Sequence, residues 1–466
     1  MTSATPPSPT LRPLARFAAE AAWEDAPPLV RERTREILLD AVGVLLAGSA
    51  TEVRPIARST LDLLGGGGTS RVLGTPWKAD ALTSALVHGL FLMALDFEPV
   101  GPEGHVVAAA VPAALALLDG RERSGRELLI ALAVGLEVGG RIGRGMRRVP
   151  ARERAGLLVR GNPHTVFGAA ATAARLLRLR EAEMEHAMAI AAYQAMPATL
   201  RRTMQNPPIP LVKYDHLPAA AEMGVQAAVL AAAGATGDLA VLDGPDGFWR
   251  FTGHVSFDAA DVLADLGDDW MIPATRHKLY PGSLYAGSAV QAAVDLVREN
   301  GLDPSRIREV GVHLPHPTPA QASRRPITRG DACLSVPIGV ACALLDVRPY
   351  AARCRAEVLA QPRVHELVGR TTVHELPGPR ADGAAWEGYA PALVRVVTDE
   401  GRTLEKESSS LPPVSGEELT RRFRENAATA LGDMRATELL RTLGGLGEAA
   451  DARALFDAGC ADAQEG

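Results

Sequence analysis

The sequence predicts a mainly α-helical protein with a smaller α+β lid domain. The chain has 466 residues, enough for two domains. Hydrophobic residues make up 47% of the chain and aromatic residues only 4%, so Ala, Leu and Val must build the core, and this mixture favours helices. Helical spacing of apolar residues continues to about residue 265, whereas strand-like alternation begins only after about residue 270. We therefore expect a large all-α domain followed by a mixed one.

The predicted helical domain spans residues 11–269 and 413–463, after a polar tail at residues 1–10 that we expect to be disordered. Its elements, in order, are an amphipathic helix that ends at Gly48, a helix that opens with the capping box of Ser124 and Glu127, three Ala-rich helices at 165–179, 183–196 and 217–234, and a C-terminal helix that opens with Ser415 and Glu418.

The predicted lid domain spans residues 270–412. Residues 308–314, REVGVHL, alternate as in a strand, and residues 392–408 read as a hairpin that turns at 399–401. Helices are predicted at 282–300 and 336–346 between these strands. The simplest topology is an α domain interrupted by an α+β insertion.

Composition and motifs exclude several classes of function. A formal net charge of −6 without a basic run argues against nucleic-acid binding. The polar N-terminus and the lack of a long uninterrupted apolar run predict no signal peptide and no membrane span, hence a cytoplasmic protein. The glycines at 65–68 and 139–145 lack a phosphate-loop or dinucleotide pattern, and the four cysteines show no metal or disulfide spacing.

Lysine is unusually rare in this chain. Four lysines, Lys78, Lys213, Lys278 and Lys406, stand against 45 arginines among the 49 basic residues. When buried, lysine can lose its proton near neutral pH, which arginine cannot. The retained lysines are therefore candidates for proton chemistry.

Six segments carry a resemblance to a known family. They are LDFEP at 95–99, GHVVAAAVPAALAL at 104–117, VGLEVGGRIGR at 134–144, TVFGAAATAARLLRL at 165–179, KYDHLPAAAEMGVQAAVLAAAG at 213–234 and HKLYPGSLYAGSAVQAA at 277–293. In this order, and across essentially the whole chain, they resemble the MmgE/PrpD family, which includes 2-methylcitrate dehydratase, cis-aconitate decarboxylase and iminodisuccinate epimerase. The resemblance implies a helical domain with an α+β lid, an active site between them, and a homodimer without metal or organic cofactor.

The resemblance also implies the site residues. The expected catalytic residues are Asp96, His105, Lys213 and Lys278, and the expected substrate-binding residues are Arg141, His164, His216, Tyr280, Ser283 and Glu98. Three positions depart from the family pattern, since Glu98, Pro99 and Val100 stand where the family usually has two acidic residues and a threonine. His277 beside Lys278 either compensates for these losses or is accidental.

These residues predict a cofactor-independent lyase, either a decarboxylase or a dehydratase, which moves a proton at the carbon α to a carboxylate of a small molecule in a specialised biosynthetic pathway. Such chemistry needs a base near neutrality, cations that hold the developing charge, and a dry pocket. Lys213, Lys278 or His105 can be base or acid, and sequence leaves that choice open.

Two further roles and two alternative functions stay open at this point. Arg141 is expected to clamp a carboxylate, and Asp96 either orients His105 or Lys213 or simply caps the next helix. The first alternative function is an epimerase or cyclising isomerase for a larger, less polar substrate. The second is a non-catalytic binding protein.

Overall fold

The computed structural model describes residues 9–64, 67–101, 103–147, 159–195, 199–200, 207–347, 356–376 and 390–461. These residues form a large helical domain and a smaller domain with a mixed sheet, which confirms the predicted fold class. Within the described ranges, no helix combines the length and the apolar character needed to cross a membrane.

Helices dominate the first part of the chain and return at its end. They are α1 (Leu11–Glu20), α2 (Pro28–Ser49), α3 (Val53–Leu64), α4 (Ala81–Met93), α5 (Val106–Leu118), α6 (Gly125–Gly145), α7 (Thr165–Leu176), α8 (Glu181–Gln194), α9 (Val212–Ala232), α10 (Phe248–Phe251), α11 (Ala259–Leu263), α12 (Leu284–Asn300), α13 (Arg329–Leu334), α14 (Val336–Leu344), α15 (Ala356–Leu359), α16 (Pro362–Arg370), α17 (Gly416–Gly444) and α18 (Ala454–Gly459).

Short antiparallel pairs accompany the helices, and one larger sheet forms in the second part of the chain. The short pairs are β1 (Ser70–Arg71) with β2 (Lys78–Ala79), β3 (Met146–Arg147) with β6 (Ser256–Phe257), and β4 (Val159–Arg160) with β5 (Thr199–Leu200). The larger sheet contains β7 (Ile307–Leu314), β8 (Thr371–Glu375), β9 (Ala392–Thr398) and β10 (Thr403–Ser408), in the spatial order β10-β9-β7-β8.

The helical domain packs closely because its contact faces carry small residues. Every residue of α5 is buried, and α6 and α7 meet at glycines. A Cβ atom built on Gly168 would lie 2.6 Å from Val106 Cγ1 and 2.8 Å from the carbonyl oxygen of Gly135. Side chains of ordinary size would push these helices apart, so the alanines and glycines of the sequence set the spacing of the bundle.

The second domain packs α12 and α14 against its sheet. The predicted strand at 308–314 is β7, and the predicted hairpin is the antiparallel pair of β9 and β10. Strand β8, which pairs with β7 in parallel, is not among the predicted elements. It has only five residues, and its TTVHE pattern leaves the alternate positions half-buried or exposed, so its periodicity is weak.

The C-terminal helices pack against the helices of the first part of the chain. Phe423, Leu439 and Phe456 belong to the same apolar core as α2 and α5, and α17 bends at Gly432, where φ is +73°. Both predicted helix starts are present: Ser124 and Glu127 form the reciprocal capping box, and Ser415 accepts from the amide of Glu418. The domain boundaries after residues 269 and 412 stay a prediction.

Candidate active site

Two loops from distant parts of the chain pair at the candidate site. The amide of Val100 donates to the carbonyl of Arg276, and the amide of Arg276 donates back to Val100, each at 2.8 Å. The amide of Gly282 donates to the carbonyl of Asp96 at 2.9 Å. These bonds lay the segment after α4 against the segment before α12, so that the side chains of both loops meet.

Lys278 is the buried cation of this junction, with 2% of its surface exposed. Its Nζ donates to the Asp96 carboxylate at 2.5 Å, to the Asp96 carbonyl at 2.8 Å and to Glu98 at 3.3 Å. Burial alone would lower the pKa of the Lys278 ammonium, but the Asp96 and Glu98 carboxylates hold that pKa above its ordinary value. Lys278 is therefore a fixed positive charge here rather than a neutral base.

Glu98 joins Lys278 to His105. The carboxylate of Glu98 is fully buried, and its Oε1 lies 2.5 Å from Nδ1 of His105. Because an ionised carboxylate only accepts, the Nδ1 nitrogen carries the proton. The imidazole side chain is 28% exposed, and its Nε2 makes no hydrogen bond to the residues that the structure describes. A carboxylate on Nδ1 orients the ring and leaves Nε2 to exchange a proton.

A tight turn delivers His105 to this place. Gly101 and Gly104 exchange backbone hydrogen bonds of 2.8 and 3.2 Å, and His105 follows at the N-cap position of α5. Gly104 has a φ of +110°, and a Cβ there would lie 2.2 Å from the Asn162 side chain, so only glycine fits. His164 supports the same turn, since its Nε2 donates to the carbonyl of Glu103 at 2.7 Å.

Asp96 has a strained backbone as well as a charged contact. Its φ is +49°, in the left-handed region that a non-glycine residue seldom occupies. Such conformations cluster at functional sites, where surrounding bonds hold them in place. Asp96 does not cap the next helix, because His105 occupies the N-cap of α5. The carboxylate that orients His105 is Glu98, which the sequence analysis assigned to substrate binding.

A second buried network lies behind Lys278. Asp40 of α2 accepts from His277 Nδ1 at 2.7 Å, and its other oxygen lies 2.5 Å from Nη2 of Arg422 in α17. Arg422 also donates to the carbonyl of Lys278. Burial alone would raise the pKa of the Asp40 carboxyl, but Arg422 and His277 hold it below its ordinary value. His277 is thus part of a buried ion network.

Sequence reasoning missed Asp40 and Arg422. Each carries one available signal: Asp40 is a charge inside the apolar run ILLDAVGVLL, and Arg422 stands beside Phe423 on the buried face of its helix. Neither signal names a partner, since the two residues lie 382 positions apart.

Arg141 is placed differently from the expectation that it clamps a substrate carboxylate. It is fully buried, and its Nε donates to Glu137 at 2.5 Å. Its Nη1 donates to the carbonyls of Val262 and Ala264 at 3.0 and 2.6 Å, and its Nη2 donates to the carbonyls of Asp265 and Asp269. Every nitrogen is thus committed within the protein, and the expected role has no support in these contacts.

Tyr280 and Ser283 lie near Lys278 in sequence, and their contacts within the protein differ. Tyr280 is buried in the second core, and its hydroxyl donates to Gln291 at 2.9 Å. Ser283 occupies the N-cap position of α12 without a capping hydrogen bond and is half-buried. Tyr280 thus contributes to the packing of the second domain, and the expected substrate-binding roles of both residues stay predictions.

Lys213 and His216 fall in the first turns of α9, and their side chains lie outside the described residues. Their expected catalytic and binding roles stay predictions. In the part of the chain that is described, no three His, Cys, Asp or Glu side chains converge as metal ligands. Cys333 and Cys342 are buried thiols.

Comparisons with known proteins connect this geometry to a family. The family model of the MmgE/PrpD N-terminal domain matches residues 12–258, and that of the MmgE/PrpD C-terminal domain matches residues 280–443. Cis-aconitate decarboxylase of Homo sapiens is 28% identical over 429 residues, which cover 86% of this chain and 84% of that protein. The Mus musculus protein of the same name is 25% identical over 426 residues, covering 86% and 83%.

A fungal relative extends the match further along the chain. Cis-aconitate decarboxylase of Aspergillus terreus is 25% identical over 459 residues, which cover 91% of each protein. The two family models together match most of the chain, and the relatives match it over 86–91% of its length. This chain belongs to the MmgE/PrpD family and is an enzyme of its lyase or isomerase type.

Proposed function

We propose that this enzyme is a cofactor-independent decarboxylase that removes CO2 from a small carboxylate substrate by proton transfer at the carbon next to a carboxylate. The observation that carries the proposal is the shared carboxylate of Glu98, which contacts both Lys278 and His105. It places a proton-transfer group beside a fixed cation. The names of the relatives, which are cis-aconitate decarboxylases, support the same reaction class.

The chemistry follows from these two groups. The bond to the departing carboxylate breaks, its electron pair stays on the organic fragment, and CO2 leaves. The negative charge spreads onto a neighbouring carboxylate, where a nearby ammonium such as that of Lys278 stabilises it. An imidazolium at His105, with Glu98 on Nδ1, then delivers its Nε2 proton to the carbon. For proton removal, as a dehydratase requires, Nε2 of His105 would instead accept the proton from the carbon.

Several features support a substrate that differs from cis-aconitate. Pro99 and Val100 replace polar family positions, and the backbone of Val100 is engaged by Arg276 while its side chain is buried. The loop beside Asp96 therefore offers fewer hydrogen-bonding side chains to a multiply charged substrate. A carboxylate with fewer anionic groups, made or used in a specialised pathway, fits this loop better.

The test is a screen for release of CO2 and of water from a panel of unsaturated and hydroxylated carboxylates, with cis-aconitate included. We expect turnover by the native enzyme and a loss of about 100-fold or more in His105→Ala and Lys213→Ala. His316→Ala is the matched control, because His316 also pairs with a carboxylate, Glu375, but at an exposed position.

Full activity in both site variants would contradict the site assignment. Deuterium uptake from solvent without loss of CO2 or water would instead establish an epimerase or cyclising isomerase. Ligand-induced stabilisation without any turnover would establish a binding protein.

We further propose that the enzyme works as a cytoplasmic homodimer. The support is the family resemblance together with exposed apolar side chains on neighbouring helices, Tyr193 of α8 and Val229 and Leu230 of α9. Light scattering on the purified protein tests the assembly, and a monomer at micromolar concentration would contradict it.

A further inference from the structure

Arg422 contacts both loops of the candidate site at once. This side chain is 4% exposed, and its Nη1 donates to the backbone carbonyl of Lys278. Its guanidinium carbon lies 4.8 Å from the centroid of the Phe97 ring. Phe97 stands between Asp96 and Glu98 in the chain. The guanidinium of Arg422 therefore contacts both the backbone of Lys278 and the segment that carries the two carboxylates bound to Lys278.

Asp40 holds that guanidinium in place. Its Oδ1 lies 2.5 Å from Nη2 of Arg422, and its Oδ2 accepts from His277 Nδ1 at 2.7 Å. Asp40 is 3% exposed and lies on α2, within the core of the helical domain. The Asp40 carboxylate therefore connects both His277, the residue before Lys278, and Arg422 to helix α2.

We propose that Asp40 and Arg422 are positioning residues, which set the distance between the Lys278 ammonium and the carboxylates of Asp96 and Glu98. This inference rests on the proposed function in one respect, namely that Lys278 serves the reaction. Neither positioning residue has to touch the substrate. They act through the backbone of Lys278 and through the ring of Phe97.

Geometry distinguishes this role from simple packing. A buried ion pair can often be replaced by apolar residues of similar volume without loss of stability. If Asp40 and Arg422 served packing alone, replacing both residues together should leave stability and activity unchanged. Here the pair ends on the carbonyl of Lys278 itself. A displacement of about 1 Å at a reacting group can cost about 100-fold in rate, so loss of the network is expected to appear in turnover rather than in folding.

The first experiment compares Arg422→Met, the double variant Asp40→Asn/Arg422→Met, and the control Arg421→Met. Arg421 is the exposed neighbour on the same helix, where it pairs with Glu418 and Glu425. The single Arg422 variant leaves Asp40 with fewer partners, so its melting temperature should fall, and the double variant should recover it. We expect kcat on the best carboxylate of the screen to stay about 100-fold low in the double variant, with KM changed less than threefold.

The conservative variant Arg422→Lys covers the case in which the methionine variants fail to fold. Lysine keeps the charge beside Asp40, but a single ammonium cannot reproduce the planar fork that reaches two partners and lies over a ring. We expect a folded protein whose kcat is reduced about tenfold or more. A native kcat in Arg422→Lys, or in a folded double variant, would overturn the proposal.

The second experiment reads Lys278 without any substrate. The chain has only four lysines, so lysine labelled with ¹³C at Cε gives four resonances, and Lys278→Arg assigns the one of interest. We expect that resonance to move in Arg422→Met and in the double variant, and to stay unchanged in Arg421→Met. If the Lys278 resonance does not move in folded Arg422 variants, the positioning proposal is overturned, even if the enzyme turns over no carboxylate. If the resonance moves but the native enzyme turns over no carboxylate, only the proposed function is rejected.

Discussion

Two buried ion clusters of this enzyme are alike in composition but differ in whether a proton-transfer group is left exposed. Glu137 and Arg141 form a pair with no exposed surface, and the guanidinium also donates to four backbone carbonyls. Lys278 is buried just as deeply among Asp96 and Glu98. Its cluster, however, continues through Glu98 to the partly exposed ring of His105.

Burial of charge therefore does not by itself identify a reaction site. The cluster around Arg141 is closed, because each donor ends on a protein acceptor and the arginine joins α6 to the segment after α11. The cluster around Lys278 is open at one nitrogen, Nε2 of His105. Removing the closed cluster should therefore cost stability alone, whereas removing the open one should also cost activity.

The largest expected effect is that of Lys278→Met on turnover. Loss of the fixed cation removes the charge that stabilises the carbanion, and we expect kcat to fall about 1,000-fold. The measurement is CO2 release at saturating substrate. Lys406→Met is the control, because Lys406 pairs with Glu299 on the surface and should keep native activity. A fall of less than tenfold in Lys278→Met would place the catalytic cation elsewhere.

Arg141→Met should show the opposite behaviour, with a loss of stability of about 3–5 kcal/mol. Glu137 would remain buried without its cation, and burial already raises the pKa of the Glu137 carboxyl. Chemical denaturation measures the loss, and the double variant Glu137→Gln/Arg141→Met should recover part of it. Turnover per folded molecule should stay within about twofold of native. A selective loss of activity in folded Arg141→Met would mean that the Arg141 cluster also serves the reaction.

Glu98→Gln tests the link between the cation and the imidazole. A carboxylate that orients a catalytic histidine can contribute up to about 10⁴-fold to kcat, so we expect kcat to fall by about tenfold or more while the protein stays folded. Glu375→Gln is the matched control, since Glu375 binds His316 in the same way at the surface. Equal effects of the two substitutions on kcat would mean that the contact between Glu98 and His105 has no special role in turnover.

The smallest expected effect concerns acid stability. The Asp40 carboxyl has a pKa below its ordinary value of 3.8 in the folded enzyme, held there by Arg422 and His277 against the effect of burial. Its contribution is therefore present above the unfolded pKa and is lost as pH falls through the folded pKa. Asp40→Asn should lower the melting temperature at pH 7 and flatten its decline below about pH 4. An unchanged acid decline would exclude Asp40 as a contributor.

Much of the fold could be predicted from periodicity and capping. The apolar spacing of α2, the Ser124 capping box and the β9–β10 hairpin are all local patterns, so the sequence states them directly. Strand β8 could not be found in this way, because it is held by parallel pairing with β7 across more than 50 intervening residues. Long-range pairing leaves little local trace.

The candidate site was predictable only in part, for the same reason. Resemblance pointed to Asp96, His105 and Lys278, which the structure brings together. It could not tell that Glu98 rather than Asp96 binds His105, because that depends on the left-handed backbone of Asp96 and on the turn before the helix. Arg141 was given a substrate role by the family resemblance of the segment at 134–144, and the sequence does not show the carbonyls that surround its guanidinium.

Decarboxylation in D2O by the native enzyme and by His105→Gln, with CO2 and product deuterium counted together, tests whether His105 delivers the proton. We expect one deuterium to be incorporated for each CO2 that the native enzyme releases, and both to be lost in the variant while its melting temperature stays native. Release of CO2 at the native rate by His105→Gln would contradict this role of His105, because the proton would then come from another group.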